Sequence, residues 1–250
     1  MSDYLMRGDA PLSDSEWERL DEVVVSTARG FLVGRKFLDL AGPFGAGLEM
    51  IPKGTGENRE YIPLQVIEQE FMLNWREVEA SRKMDLPIQL SAASRASLAC
   101  ARAEDQMIFD ALMGAAENSV SLGDWEDEGG PLAAVSAATE VLVENDQFGP
   151  YAVVLSPQLF TKTQRVSRGY GRTVGRLVRE VAEGGLFRSA LLGEDEGFVL
   201  SLGAYNFDLA VGQDLITAYE GNEGLDHLFK VLETVAVRVK RPGAIVTFEA

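Results

Sequence analysis

Two adjacent cations and one carboxylate interrupt an apolar run in LVGRKFLDLAGPFG, residues 32–45, where Arg35 and Lys36 precede Asp39 and the chain then turns at Gly42 and Pro43. Such a stretch could cradle a phosphate, edge an active site or receive a docking partner. A phosphate loop needs a glycine-rich run ending in Gly-Lys-Ser/Thr so that backbone N–H groups and the lysine converge on the anion. Gly34-Arg35-Lys36-Phe37 lacks that run, and Gly42-Pro43-Phe44-Gly45-Ala46-Gly47 is not Gly-x-Gly-x-x-Gly. Nucleotide binding is therefore not the reading of this stretch.

His227 is the only histidine in the chain. That excludes zinc centres with several histidine ligands and di-iron bundles with two Glu-x-x-His motifs. A Ser-His-Asp triad would have to use His227, and no Gly-x-Ser-x-Gly elbow presents a nucleophile to it, so His227 reads as a surface or packing residue. Cys100, also the only one of its kind, lies between Ala99 and Ala101 with no base near it in sequence and reads as core. Two acidic clusters remain, Asp124, Glu126, Asp127 and Glu128, and Glu194, Asp195 and Glu196 between Gly193 and Gly197. Neither has the glycine at position six and glutamate at position twelve of a calcium-binding loop, and both read as solvated loops. Trp75, followed by Arg76, Glu77 and Glu79, could stack a ligand, although an aromatic in a strand is more often core or interface.

The elements that must position these groups follow from periodicity. Ser13-Asp14-Ser15-Glu16 matches a capping box, and Trp17, Leu20, Val24 and Ala28 recur at helical spacing, which predicts a helix to about Arg29. Phe37, Leu38 and Leu40 predict a short strand stopped by Gly42-Pro43. The segment 48–78 reads as a long hairpin with a flexible tip at 53–58; a two-stranded ribbon is marginal in water, so it must lie on something else, another subunit included. The segment 91–117, with Leu98, Ala101, Ile108 and Leu112 as its stripe, predicts the longest helix. An acidic loop over 123–130 leads to a helix begun by Pro131 and ending near Asn145, and Tyr151 to Leu155 reads as a strand buried on both faces. Helical patches follow near 158–166 and 172–182. The last quarter is mostly strand, over 186–192, 198–202, 207–211, 215–219, 228–239 and 244–248. The fold class is α+β, without the regular alternation of a doubly wound sheet.

Composition sets the outer bounds. A chain of 250 residues with 46% hydrophobic and 25% charged residues can bury a sizeable core. Its 39 acidic against 23 basic residues give a formal charge of -16, which opposes binding to nucleic acid or to an anionic membrane. One cysteine excludes an intramolecular disulfide, and neither a signal core nor a long apolar run is present, so the expected compartment is the cytoplasm.

The ordered set Gly34-Arg35-Lys36-Phe37-Leu38-Asp39, Gly42-Pro43-Phe44-Gly45, Phe148-Gly149-Pro150-Tyr151, Gly212-Gln213-Asp214-Leu215 and Tyr219-Glu220 resembles the encapsulins, the family 1 linocin-like shell proteins of microbial nanocompartments. The resemblance covers essentially the whole chain. It implies the tailed-phage major capsid fold of the Hong Kong 97 type, divided into an N-terminal docking helix and the start of the peripheral domain (1–47), an extended loop (48–78), the peripheral domain with its spine helix (79–144 and 212–250) and an axial domain (145–211). It also implies a non-enzymatic, icosahedral homo-oligomer of roughly 60 copies, or about 180 or 240 in larger shells. Such a shell encloses a ferritin-like iron-storage protein or a dye-decolorizing peroxidase that carries a short C-terminal targeting peptide. Carried over by position, Phe31, Arg35, Asp39, Leu40 and Ile216 form the peptide-binding groove, and Glu194, Asp195 and Glu196 line a five-fold pore. Some encapsulins bind flavin through an aromatic at the place of Arg76; with Trp75 one step away on what reads as a strand, that role is not carried over and no cofactor is expected. The alternatives are a phage or prophage capsid protein on the same fold, disfavoured because the chain starts almost at its docking helix, and a protease or antibacterial factor, disfavoured by the missing nucleophile and histidines.

Overall fold

The computed structural model describes residues 3–54, 59–167 and 171–249. After two short 3-10 turns, Asp3–Leu5 and Arg7–Asp9, helix α1 runs over Asp14–Phe31. The Ser13–Glu16 capping box closes its N-terminus in both directions. Its buried stripe is Trp17, Leu20, Val24 and Ala28, as the spacing predicts. A 3-10 turn, Gly34–Lys36, leads into β1, Asp39–Ala41.

The expected long hairpin is shorter than its sequence pattern. Its arms are β2 (Met50–Pro52) and β3 (Tyr61–Pro63), and of the expected tip residues 55–58 lie outside the described residues. The next strand, β4 (Gln65–Leu73), leaves the ribbon and buries Ile67, Phe71 and Leu73 in the main core. Trp75 does not continue that strand. Asn74 accepts a hydrogen bond from the Arg76 N–H and starts helix α2, Trp75–Met84, so Trp75, Arg76 and Val78 are helical. The side-chain cap and the charged run after it outweighed the strand preference of Trp75 and Val78.

Helix α3, Ser91–Ala115, is the longest helix. Its buried face is made of Ala93, Ala96, Ser97, Cys100, Ala101, Ile108 and Leu112, while Leu98, expected in the stripe, is 36% exposed. Small residues there allow close approach to α1, and the Ser97 hydroxyl donates to the Val24 carbonyl at 2.6 Å. Beyond it come β5 (Asn118–Ser121), α4 (Gly130–Glu144), β6 (Tyr151–Leu155), α5 (Pro157–Lys162), α6 (Val174–Val181), β7 (Gly185–Arg188) and β8 (Gly197–Ser201). The chain ends in β9 (Phe207–Glu223), β10 (Asp226–Val239) and β11 (Ile245–Glu249). The two segments expected at 207–211 and 215–219 are thus one strand, whose pairing with β10 is bulged around Gln213.

Two sheets carry the architecture. The first has the order β1-β9-β10-β4 and packs Phe71, Phe229, Val231 and Val235 toward α1 and α3. The second has the order β5-β11-β8-β6-β7. In β6, Ala152 and Val154 join the core shared with α3, whereas Val153 and Leu155 join a second core under α4 and α6. That alternation between two cores explains why this strand is an unbroken apolar run. The segment 145–211 supplies β6, β7 and β8 to the second sheet, while β5 and β11 come from outside it. Among the described residues, no helix is long and apolar enough to cross a membrane.

Candidate functional site: a groove between helix α1 and strand β9

The stretch 32–45 is pinned from two sides. The buried Asp105 carboxylate on α3 accepts from the Val33 and Gly34 N–H groups, each at 2.8 Å. Burial pushes this carboxyl up, and the two N–H donors pull it back only part of the way, to about 6. Gly34 lets the turn lie close on α3, since a Cβ there would sit 2.5 Å from Ile108 Cδ1 and 3.1 Å from Asp105 Oδ1 and would force Ile108 to shift. At the far end Gly42 has φ +122 and lies so close to β9 that a Cβ would sit 2.3 Å from the Val211 carbonyl oxygen. The Phe44 and Gly45 N–H groups then donate to the carbonyls of Val211 and Gly212, each at 2.9 Å. The glycines of this motif serve close backbone packing.

Between these anchors lies a groove of about 350 Å³. Val25, Ala28 and Leu32 of α1, Leu40 of β1 and Leu215 of β9 form its apolar lining, and Arg29, Arg35, Lys36 and Asp214 its charged margin. Leu40 is 53% exposed and Val25 38%, so apolar surface stands open to a partner. A hollow of about 670 Å³ beside β2 and β3 is larger, but of its cations Arg238 and Lys240 are already held by the buried Asp208 carboxylate.

Of the five residues expected in the groove, Arg35 and Leu40 line it. Phe31 packs behind it, in the small cluster of Ala28, Leu32, Ala101 and Leu215. Asp39 is not part of it. Neighbouring side chains in a strand point to opposite faces, so with Leu40 turned to the groove Asp39 is turned away, beside Asp208, its partner in the β1–β9 register. Ile216 is likewise displaced by one: Leu215 lines the groove, and Ile216 pairs opposite Leu232. Missing from the expected set were Val25 and Leu32, which the helical spacing of α1 could have pointed to, and Leu215.

Arg35 differs most from expectation. Its Nε donates to Glu104 Oε1 at 2.8 Å, its Nη2 to Glu104 Oε2 at 2.6 Å and Glu233 Oε2 at 2.8 Å, and its Nη1 to Asp214 at 2.8 Å. Glu104 and Glu233 are buried, with side-chain exposures of 0% and 2%. Arg35 is paired neither with Asp39 nor left free for a ligand; it forms the floor of the groove. Burial, reinforced by the negative charge of Glu104, raises the Glu233 carboxyl far above the ordinary range against the pull of Arg35. With Glu233 protonated, the Arg35 guanidinium has Glu104 and Asp214 as its remaining carboxylate partners.

The remaining expected residues are elsewhere. Glu194, Asp195 and Glu196 are exposed in the loop from β7 to β8, where Glu196 accepts from the Gly193 N–H at 2.7 Å and the Glu194 carbonyl from Ser156 Oγ at 2.6 Å. His227 is the second residue of β10, with Nδ1 at 2.8 Å from Asn222 Oδ1. Cys100 is buried, and burial pushes its thiol up to about 12, which leaves it unreactive.

Comparison with known proteins gives this geometry its context. The family model Linocin_M18, described as encapsulating protein for peroxidase, matches residues 1–236. The type 1 encapsulin shell protein EncA of Myxococcus xanthus is 38% identical, over 100% of this chain and 97% of its own length. The virus-like particle of Pyrococcus furiosus superposes with a TM-score of 0.79 at 21% identity, covering 93% of this chain and 99% of that one. The capsid of the Myoviridae phage XM1 superposes at 0.59 with 13% identity, covering 88% and 89%. The fold is that of the tailed-phage capsid proteins, and the family's members are structural shell proteins, not enzymes. This chain belongs to the encapsulin shell proteins.

Proposed function

We propose that copies of this chain close into a hollow icosahedral shell, roughly 60 per particle in its smallest form, in the cytoplasm, and hold a cargo enzyme by a short C-terminal peptide laid in the α1–β9 groove. The observation that carries the docking reading is the exposed Leu40 and Val25 beside Leu32 and Leu215, an apolar trough suited to alternate side chains of an extended peptide. With Arg35 neutralised beneath it, recognition is mainly apolar, and many grooves facing one oligomeric cargo raise the effective concentration. A redox cargo agrees with the description of the family model as encapsulating protein for peroxidase; a ferritin-like iron store is the other candidate.

Leu40→Asp tests this reading without touching the core. Burying one leucine is worth about 1.5–3 kcal/mol, so each peptide should bind roughly ten-fold more weakly or worse, and shells of unchanged size should emerge with little cargo. Particle size by electron microscopy and cargo per shell by native mass spectrometry give the answer. Full loading by Leu40→Asp shells would place docking elsewhere.

The exposed triad Glu194, Asp195 and Glu196 is our candidate for a cation-attracting ring around a symmetry axis, because repeated copies would concentrate negative potential at an opening. Reversing these three charges should slow ferrous iron entry into intact shells, measured by stopped flow. Unchanged uptake would remove the role.

A further inference from the structure

Helix α4 is apolar on nearly every side. Its 15 residues hold two charges, Glu140 and Glu144, both toward its C-terminal end. Such a helix is usually covered all round, whereas a surface helix carries a polar outer face. Here the inner face, with Val135, Ala138 and Leu142, lies on the second sheet, but Ala133 and Val143 are exposed on the helix and Phe148 is exposed four residues beyond its end. Val143 is 47% exposed and Phe148 60%. An open hollow of about 330 Å³ lies among Thr139, Glu140, Val143, Glu144 and Tyr151. The charges also have the wrong sign for their place: the negative end of a helix favours cations, and α4 has none in its last turn.

Helix α6 shows the opposite mismatch. Arg176 lies in its first turn, where no acidic residue accompanies it, although the positive end of a helix favours anions. Arg176 and Arg179 are three residues apart and exposed, and neither has an ion-pair partner among the described residues. Around them Arg172 binds Glu180, while Lys162 and Arg165 share Glu126. The result is a cationic face on a chain of net charge -16. No ion pair among the described residues joins Glu140 or Glu144 to these arginines within one chain.

From these two faces we infer that α6 of one copy covers the outer face of α4 on the next, with Arg176 and Arg179 against Glu140 and Glu144 and their aliphatic stems on Val143 and Phe148. The inference rests on the shell reading. A second copy is the occupant that supplies both halves of the match. Spacings of three and four residues both correspond to about one helical turn, so two charge pairs can form together. A contact between two different patches of the same chain is head to tail, the type that closes rings. Nucleic acid would satisfy the arginines but not the apolar strip, and the net charge opposes it.

The test is a charge exchange on the full chain. Arg176→Glu with Arg179→Glu, and separately Glu140→Arg with Glu144→Arg, each bring like charges together at the contact. Each pair should reduce the assembled fraction at moderate salt about ten-fold or more. The four substitutions combined restore opposite charges and should return assembly to near the wild-type level. Static light scattering and electron microscopy read the assembled fraction, and circular dichroism reports whether each variant folds. The milder pair Arg176→Gln and Arg179→Gln serves if the reversals do not fold, and it should weaken assembly at low salt while removing most of the wild type's loss of assembly on adding salt. Failure of the combined variant to recover, or unimpaired assembly of the single-sided variants, overturns the contact while leaving the shell intact as a reading. A wild-type chain that never assembles overturns both.

Discussion

Arg35→Met lowers the stability of the folded chain by about 3–5 kcal/mol, the usual cost of removing one partner from a buried ion pair. The guanidinium serves Glu104 and Glu233 at once and ties α3 to β10, with Asp214 of β9 as a third contact at the groove margin. Without it the buried Glu104 and Glu233 carboxyls face each other with no cation between them. Denaturant unfolding, or the melting temperature of the assembled particle, should show the loss. Replacing Arg35, Glu104 and Glu233 together by Met, Leu and Leu should recover most of it, because an apolar triad of similar volume leaves no buried charge unpaired. A wild-type midpoint for Arg35→Met would mean that the triad contributes no net stability. Empty particles from an Arg35 variant would reflect a loosened groove floor as readily as a lost peptide contact, so Leu40 is the better probe of docking.

What the sequence made legible follows the strength of each local signal. The capping box and four-residue spacing specify α1, small residues and helix formers specify α3, and an apolar run specifies β6 because both of its faces are buried. Helix α2 runs against its local preferences, because Trp75 and Val78 favour strands and only the Asn74 cap signals the helix. The hollow between α1 and β9 contains Arg35 and Leu40 of the expected set, whereas Asp39, expected as a charged acceptor, faces away from it and Leu215 stands where Ile216 was expected. In a strand, an error of one residue reverses the face, and bulges around Gln213 obscure the alternation along β9. The triad was invisible in the sequence. Glu104 and Glu233 lie 69 and 198 residues from Arg35, and each of the two alone reads as an ordinary surface charge. Only the crossing of α3 over the first sheet brings them together.

That triad also makes stability fall toward alkaline pH. Glu233 titrates near the ordinary carboxylate value when unfolded and well above it when folded, so over that window the folded chain binds more protons than the unfolded one. Stability then declines as pH rises, and the contribution is fully lost once the folded group ionises. The groups facing Glu233 are Glu104, Arg35 and Asp214, with the Cys100 thiol nearby; a second negative charge against one guanidinium is the physical loss. Asp105, raised to about 6, changes stability in the same direction but only up to that pH. At Asp214 burial is outweighed by the Arg35 hydrogen bond and its carboxyl is lowered, so its contribution is lost in acid instead. Above about pH 6.5, therefore, the remaining slope belongs to Glu233, at up to about 1.4 kcal/mol per pH unit. Glu233→Gln keeps the size and hydrogen-bonding capacity without the titration, and the melting temperature of that variant should stay nearly level from pH 6.5 to 9 while the wild type falls by several degrees. Parallel curves for the two proteins would show that Glu233 is already ionised at neutral pH.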